Sequence, residues 1–309
     1  MSNTKTSVRV GLVIPTLNAG GRWNECLRAV AAQTLRPHRS IVVDSASTDC
    51  TVSLAEAAGF EVISIERRQF NHGGTRQWAA EILVDCEIVV FLTQDAIPAN
   101  DTAFAEIVGA FADPEVAVAY GRQLPHLGAT PIEAHSRIFN YGKLTQKKNS
   151  RIAEQIGTRA FFCSNSFAAY RKSVLTDLGG FRRDLILGED MEFAARAIKA
   201  GYANLYCAGA TVYHSHDYTL IQTLRRYFDL GAFDAENSWM RKQFGSHGAE
   251  GQRYVASEIR YLLDCNAAKI PRAMLLTSAK LIGYRLGRTH RKLPIKLKRK
   301  LSMSPGFWC

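Results

Sequence analysis

Apolar runs typical of buried strands alternate with amphipathic segments in the first part of the chain. The strands are predicted at Val8–Ile14, Ile41–Asp44, Val62–Ile65 and Glu87–Leu92, and the helices between them at Trp23–Gln33, Thr48–Ala58 and His72–Val84. Strands that are apolar throughout and separated by helices are typical of parallel sheets buried on both faces. The chain is therefore predicted to be an α/β protein with a mainly parallel sheet flanked by helices.

The pattern changes towards the carboxyl end, where the sequence becomes helical. The middle contains predicted strands at Phe161–Arg171 and Leu205–His216, a helix at Gly188–Gly201, and a polar loop-and-helix excursion over Arg122–Gln155. The last part contains predicted helices at Leu220–Phe244, Gln252–Leu263 and Pro271–Arg288. We expect one α/β domain over residues 1–217, followed by a helical C-terminal region over residues 218–309.

The net charge of +11 belongs to the end of the chain. From Cys265 onwards there are eleven Lys or Arg and no Asp or Glu, which leaves 28 basic and 28 acidic residues before it. A neutral body without a recognised nucleic-acid motif counts against binding to nucleic acid. No segment reaches the roughly 18–20 apolar residues that span a bilayer. Seven scattered cysteines without a C-x-x-C pair disfavour a disulfide scaffold and favour a reducing compartment.

The basic end also has an amphipathic pattern. Leu275, Ala279, Ile282 and Leu286 recur at helical spacing, and leucines after Pro294 lie among lysines and arginines. A basic amphipathic segment fits an anionic membrane surface, so residues 269–300 are a predicted membrane contact. The alternative is a solvated helical face that packs on the body.

Polar side chains follow several predicted strands at their carboxyl ends, where α/β sheets bind ligands. Asp44 ends the second strand, and the loop after it opens a helix. Asp44 either faces a nucleotide or belongs to an ordinary helix cap. Since the chain contains neither G-x-G-x-x-G nor G-x-x-x-x-G-K-[ST], a dinucleotide site of the Rossmann type and a P-loop are disfavoured.

Two further loops contain groups that bind anions or cations. Paired glycines follow Asn71 and His72, where backbone amides can approach an anion, and Arg76 in the first turn of the helix can contact a phosphate or a ribose. The alternative is an ordinary glycine-containing loop. Asp95 follows the fourth strand, and its carboxylate is either a ligand for Mg²⁺ or Mn²⁺ or a turn acceptor.

The last two groups lie in the second half of the chain. Glu189 and Asp190 follow Gly188 at a helix start, where acids either stabilise the helix dipole or supply a general base. His214 and His216 point the same way in an extended segment, so they either ligate a metal or are structural.

In this order the segments resemble the inverting family-2 glycosyltransferases of GT-A fold. The likeness rests on Ile14-Pro15-Thr16-Leu17-Asn18, Val43-Asp44-Ser45-Ala46-Ser47-Thr48-Asp49 and Gly188-Glu189-Asp190. The rhamnosyltransferase branch is indicated by Phe70-Asn71-His72-Gly73-Gly74-Thr75-Arg76, Leu92-Thr93-Gln94-Asp95-Ala96-Ile97-Pro98, His214-Ser215-His216-Asp217-Tyr218 and the closing Lys300-Leu301-Ser302-Met303 with Trp308 nearby. The resemblance spans nearly the whole chain.

The resemblance implies roles for these residues. The donor nucleotide would be bound by Pro15, Thr16, Asn18, Asp44, Ser47, Arg76, Gln94 and Asp95. The sugar and acceptor would lie near Asn71, His72, Trp78 and Glu189. Asp95 and His214 would bind Mg²⁺ or Mn²⁺, with His214 a better match than His216, and Asp190 would be the catalytic base. Since the usual metal motif of the family is D-x-D, the single Asp95 is a departure.

The resemblance also implies a reaction. The donor would be dTDP-β-L-rhamnose, and the acceptor a glycan of bacterial surface polysaccharide on a polyprenyl-diphosphate lipid. The alternative is the same chemistry with UDP-galactose, UDP-N-acetylglucosamine or UDP-galactofuranose. We expect a cytoplasmic protein that is peripheral on the inner face of the plasma membrane.

Overall fold

The computed structural model describes residues 8–245 and 250–308. The strands are β1 (Val10–Thr16), β2 (Arg39–Asp44), β3 (Glu61–Ser64), β4 (Ile88–Leu92), β5 (Ile97–Pro98), β6 (Val116–Leu124), β7 (Gln146–Lys148), β8 (Phe167–Arg171) and β9 (Ala203–Tyr213). The helices are α1 (Trp23–Ala31), α2 (Thr51–Ala57), α3 (His72–Ile82), α4 (Ala103–Gly109), α5 (Pro131–Asn140), α6 (Ser150–Ile156), α7 (Lys172–Asp177), α8 (Glu189–Lys199), α9 (Leu220–Glu236), α10 (Ser238–Phe244), α11 (Glu250–Cys265), α12 (Ile270–Arg288) and α13 (Ile295–Leu301).

The strands form one mixed sheet with the order β3-β2-β1-β4-β8-β6-β9-β5, and β7 pairs with β9. The pairs among β1, β2, β3 and β4 are parallel, as predicted. Beyond β4 the sheet changes, because β8 is antiparallel to both β4 and β6. β6 and β9 are parallel again, which brings the carboxyl end of β9 near that of β6.

Several predicted boundaries were wrong. The predicted strand Phe161–Arg171 begins only at Phe167, and the residues before it form a turn. β6 and α4 were not predicted, and the excursion over residues 122–155 contains α5, β7 and α6. The predicted helix Leu220–Phe244 is interrupted at Asn237, where α9 ends and α10 begins.

Each strand of the parallel half contributes to two cores. Along β1, Leu12 and Ile14 pack on one face with α1 and α4, whereas Val13 packs on the other face with α3 and α8. The same alternation occurs along β4, where Phe91 joins the core on the α3 side. Because successive side chains of a strand point to opposite faces, a strand that is apolar throughout must be covered on both sides.

The helices after residue 217 pack on the sheet region. Phe228, Phe233 and Trp308 belong to the same core cluster as Phe193 of α8. α9 and α12 run side by side in the same direction. The contacts that show this are those of Gly283 with Leu224 and of Gly287 with Phe228. A Cβ on Gly283 would lie 2.3 Å from the Leu224 carbonyl oxygen. Glycine therefore allows the two backbones to touch.

The final segment is also attached to this helical layer. The backbone N–H of Met303 donates to Oδ2 of Asp229 (2.9 Å), and Nε of Arg299 donates to the carbonyl oxygen of Trp308 (2.8 Å). In residues 8–245 and 250–308, no helix is both long and apolar enough to span a membrane. The six cysteines in this part of the chain are free thiols; Cys309 lies outside the described residues.

Candidate functional site

Asp44 and its neighbours form a hydrogen-bonded rim at the ends of β1 and β2. The buried carboxylate of Asp44 accepts hydrogen bonds from Thr16 Oγ1 (2.8 Å), Ser47 Oγ (2.6 Å) and the Ser47 N–H (2.8 Å). Asn18, with a φ of 46°, accepts from the N–H of Thr48 at 2.8 Å. Half-buried Pro15 pairs in register with Val43. These contacts hold the predicted nucleotide residues in one place, and their role as ligands stays a prediction.

Gln94 connects the rim to the loop that contains Asp95. Its Oε1 accepts from the N–H of Leu17 (2.7 Å), and its Nε2 donates to the Leu17 carbonyl oxygen (3.1 Å). The side chain therefore joins the ends of β1 and β4, and both of its polar atoms already have a partner. Its role in binding the donor nucleotide stays a prediction. Asp95 comes next in the chain, with its side chain about one-third exposed.

Asp95 lies beside both predicted histidines. Oδ1 of Asp95 is 3.4 Å from Nε2 of His214, and Oδ2 is 3.6 Å from Nε2 of His216. One ligand atom from each side chain lies within 4.8 Å of the others. The same-face expectation for the two histidines is thus confirmed. One carboxylate and two imidazoles are a donor set that suits a divalent transition-metal ion.

The protonation of this cluster also suits a cation. Although burial raises the pKa of Asp95, the hydrogen bond to His214 and the charges of both histidines outweigh that effect and hold the pKa below its usual range. Burial, with His214 nearby, lowers the pKa of His216 to about 4. The cluster therefore offers an ionised carboxylate and a neutral imidazole, which are the ligating forms of both groups.

Asp190 is half-buried at the start of α8. Its Oδ2 accepts from the backbone N–H of Asn165, and its Oδ1 accepts from the N–H of Met191, each at 2.8 Å. Burial, and next the negative charge of Glu189, raise the pKa of Asp190 to about 7. A carboxylate with a pKa near the working pH is suited to accept a proton from a substrate hydroxyl.

Arg76 points to this acid-bearing segment. The buried Arg76 NH1 donates to Oε1 of Glu189 (2.9 Å) and to the carbonyl oxygen of His72 (3.1 Å). Nδ2 of Asn165 donates to the same Glu189 oxygen (2.9 Å), and Tyr170 Oη donates to Oδ1 of Asn165 (2.7 Å). Arg76 thus neutralises the buried Glu189. A nucleotide contact by Arg76 stays a prediction.

The glycine loop before Arg76 is arranged differently from the sequence interpretation. Asn71 caps α3, because its Oδ1 accepts from the N–H of Gly74 at 2.7 Å, so that amide is not free for an anion. A Cβ on Gly73 would lie only 1.9 Å from the Arg182 carbonyl oxygen. Gly73 therefore permits α3 to touch the segment before α8. Burial lowers the pKa of His72 to about 4.

Two other residues have contacts that bear on their assumed roles. Trp78 is half-buried and packs against the core cluster on the α3 side of the sheet. Gly188, which precedes the two acids, has a φ of 80° and lies against the ring of Phe233. Gly188 thus allows α8 to begin against α9.

Hydrogen bonds and one peptide bond connect the Asp95–His214–His216 cluster with Asp190. Oε1 of Gln123 lies 2.9 Å from Nδ1 of His214, and Nε2 of Gln123 donates to Oγ of Ser164 at 3.0 Å. The next residue, Asn165, donates its backbone N–H to Asp190. Nothing in the sequence pattern indicated Gln123, Ser164 or Asn165, because their importance depends on long-range contacts. His216 had a signal in its spacing from His214.

A cavity of about 430 Å³ opens beside this network. Its lining includes His216 and Tyr218, whose rings stack with centroids 5.0 Å apart. Arg22, His126 and Glu133 also line it. The cavity is polar and borders the Asp95–His214–His216 cluster, so a hydrophilic substrate can reach that cluster.

Comparisons with known proteins agree on the family. Residues 12–179 match the model of glycosyl transferase family 2. The O-antigen chain rhamnosyltransferase WbaN of Salmonella anatum is 48% identical over 298 residues, covering 96% of this chain and 95% of the relative. The O-antigen chain rhamnosyltransferase RfbN of Salmonella typhimurium LT2 is 45% identical over 302 residues, covering 97% and 96%.

Solved structures agree on the fold. The mannosyltransferase PcManGT from Pyrobaculum calidifontis, in complex with GDP-Man and Mn²⁺, superposes with a TM-score of 0.58 at 21% identity, covering 95% of this chain and 84% of that one. TarS 1–349 of S. aureus, in complex with UDP-GlcNAc, gives a TM-score of 0.53 at 16% identity and covers 92% of both chains. The predicted GT-A fold is confirmed.

Proposed function

The chain belongs to glycosyltransferase family 2, and on that premise we propose that it transfers L-rhamnose from dTDP-β-L-rhamnose to a hydroxyl of a glycan in O-antigen synthesis. The proposal for the sugar is supported by two near full-length relatives that are named rhamnosyltransferases. The proposal for the chemistry rests on one observation: Asp190 and the Asp95–His214–His216 cluster are connected through Gln123 and the adjacent residues Ser164 and Asn165.

The reaction we propose is a single displacement. Asp190 accepts the proton of the acceptor hydroxyl while that oxygen forms a bond to the anomeric carbon of rhamnose. The bond from this carbon to the diphosphate oxygen breaks in the same step, so β-linked donor gives an α-linked product. The backbone N–H groups of Asn165 and Met191 fix both oxygens of Asp190. Such a base contributes typically about 10²–10⁴-fold to the rate.

On the donor side, Asp95, His214 and His216 would hold a divalent cation, Mg²⁺ or Mn²⁺, which when bound offsets negative charge on the leaving diphosphate. The imidazole of His216 would then supply the ligand that a D-x-D motif takes from its second carboxylate. The rim of Thr16, Asp44 and Ser47 is preorganised for the nucleoside. Because its hydrogen bonds are already made, the rim changes little when the donor binds.

The acceptor in this proposal is a glycan carried on a polyprenyl diphosphate lipid, reached from the cytoplasm. The relatives' names include the O-antigen chain, which supports a growing polysaccharide as acceptor. The polar cavity beside His216 supports a hydrophilic acceptor group at the reacting end.

A donor panel tests the proposed sugar. Isothermal titration calorimetry would compare dTDP-rhamnose with UDP-galactose, UDP-N-acetylglucosamine and UDP-galactofuranose, each with and without Mn²⁺. We expect dTDP-rhamnose with Mn²⁺ to bind most tightly, because the nucleoside can then contact the rim around Asp44 and the diphosphate can contact the cation beside Asp95. Tighter binding of a UDP-sugar would contradict the rhamnose assignment and leave the family membership unaffected.

A further inference from the structure

α12 has two apolar sides, and only one of them is buried. The inner side packs on α9 and α11 through Ala273, Leu276, Ala279, Gly283 and Gly287. The opposite side, here called the outer face, presents Met274, Leu275, Ser278, Leu281, Ile282 and Arg285 to solvent. Leu275 is 60% exposed and Ile282 is 51% exposed. Helices of water-facing surfaces ordinarily have polar side chains at such positions, so this face is unusual.

More exposed apolar surface lies at the start of the neighbouring helix. Leu220 and Ile221 begin α9 and are both exposed. The ion pair between Arg272 and Asp217 (3.2 Å) fixes the start of α12 beside the turn that precedes α9. The first part of the outer face, at Met274 and Leu275, therefore lies at the end of the helical layer where α9 begins.

The charged side chains of the segment that contains α12 and α13 have one sign, and its acidic partners come from elsewhere, as in the ion pairs of Arg272 with Asp217 and of Arg288 with Asp234. The described segment from Cys265 to Trp308 contains Lys and Arg but no Asp or Glu. Arg285 lies on the outer face, and Lys296 and Lys300 of α13 are exposed nearby in sequence. Exposed apolar side chains with cations around them match a bilayer that contains anionic lipids, where each cation near the surface contributes about 1 kcal/mol.

We infer that the outer face of α12, together with the start of α9, docks on an anionic lipid bilayer. This assignment differs from the sequence expectation, which included the whole stretch 269–300. The apolar residues that the sequence places at helical spacing do not share one environment, because Ala279 is buried whereas Leu275 and Ile282 are exposed. The final basic segment is anchored instead through Met303 and Arg299.

The position of the surface relates it to the site. Asp217, which pairs with Arg272, follows His216 directly in the chain. A bilayer on the outer face would thus lie at the side of the molecule where β9 delivers both histidines. An acceptor carried on a lipid would meet the cavity without leaving the membrane. This last step depends on the proposed function, whereas docking itself does not.

Vesicle sedimentation with the full chain tests the inference. Vesicles of phosphatidylcholine alone would be compared with vesicles that also contain phosphatidylglycerol, at low and at high salt. We expect binding to the anionic vesicles that weakens with salt. The paired substitution Leu275→Glu and Ile282→Glu should raise the lipid concentration for half-maximal binding by about tenfold or more, since it removes apolar contact and adds negative charge.

The matched control is the pair Val84→Glu and Leu144→Glu, which changes two exposed apolar side chains away from α12. This control should bind like the unchanged chain, and the uncharged pair Leu275→Ser and Ile282→Ser should weaken binding in the same direction as the glutamates. Transfer to a water-soluble acceptor should be unaltered in all variants, which separates docking from the donor assignment.

Three results would overturn the inference. The first is an absence of binding to anionic vesicles by the unchanged chain. The second is equal binding by the Leu275→Glu, Ile282→Glu pair and the control pair. The third is a dimer in solution, seen by light scattering, that the same pair converts to a monomer, because the outer face would then be an interface between copies of this chain.

Discussion

Gln123 sets the tautomer of His214. The Gln123 Oε1, which also accepts from Arg137 NH1 at 2.7 Å, lies 2.9 Å from Nδ1 of His214, so Nδ1 must carry the proton. Nε2 is then the ring atom that can exchange its proton for a cation, and it lies 3.4 Å from Oδ1 of Asp95. Once that proton is lost, a cation between the nitrogen and the carboxylate would stabilise the two electron-rich atoms. We therefore predict that Gln123 prepares His214 for metal binding without being a ligand itself.

Replacement of Gln123 should weaken metal binding. We expect Gln123→Leu to raise the Kd for Mn²⁺ by about 10–100-fold, since the Nδ1 proton loses its acceptor. Gln123→Glu retains an acceptor oxygen and should bind Mn²⁺ more tightly than the leucine variant. Calorimetric titration with Mn²⁺ alone measures both constants, and thermal unfolding verifies that each variant folds. Unchanged affinity in Gln123→Leu would show that His214 needs no such support.

His216 should determine the choice of metal. We expect His216→Asp to improve Mg²⁺ binding relative to Mn²⁺, because a second carboxylate replaces an imidazole that favours transition metals. The ratio of the two dissociation constants is the quantity to measure. His126→Asp is the control, since His126 lines the same cavity but does not belong to the cluster. An identical ratio in the two variants would exclude His216 as a ligand.

Removal of the base should stop transfer and leave donor binding intact. We expect Asp190→Asn to lower kcat by about 10²–10⁴-fold, because the amide cannot accept the hydroxyl proton. The affinity for the donor should stay within a small factor of the original value. Asp184→Asn is the matched control, as Asp184 is exposed and pairs with Arg182. Near-normal turnover in Asp190→Asn would remove this residue from the mechanism.

The pH dependence should report the same residue. Since Asp190 acts only when deprotonated and its pKa is raised to about 7, kcat/KM should fall below that pH by about tenfold per unit. Glu189→Gln should move the inflection to lower pH, because the neighbouring negative charge contributes to the raised pKa. Initial rates measured across the pH range test both statements. An inflection at the same pH in both proteins would indicate that another group titrates.

The contact between α9 and α12 should not tolerate a methyl group. We expect Gly283→Ala to lower the free energy of unfolding by about 1–3 kcal/mol, as its Cβ would press on the Leu224 carbonyl oxygen at 2.3 Å. Gly251→Ala is the control, because a Cβ there meets nothing within 4 Å. Denaturant unfolding gives both values. Equal stability of the two variants would mean that the helices separate easily.

Sequence patterns predicted the parallel half of the sheet well, because strands buried on both faces are apolar throughout. They failed at Phe161–Ser166, which begins with three apolar residues like a strand but forms a turn from which Asn165 contacts Asp190 and Glu189. Contacts between residues 24 or 25 positions apart leave no local signature.

The site shows the same division. Asp95 and Asp190 had a signal because their residue types and spacing are typical of a family. The burial of Arg76 against Glu189 depends on the packing of α3 on α8. The spacing of residues within either segment does not reveal that packing.

The close approach of Gly73 to Arg182 joins α3 to the segment that leads into α8 and Asp190. With no room for even one extra carbon atom, these two walls form a single rigid unit. The cavity lined by His126 and Tyr218 does not include this contact. We therefore expect substrates and products to pass through that cavity, and substitutions that stiffen its loops should slow product release before they affect the chemical step.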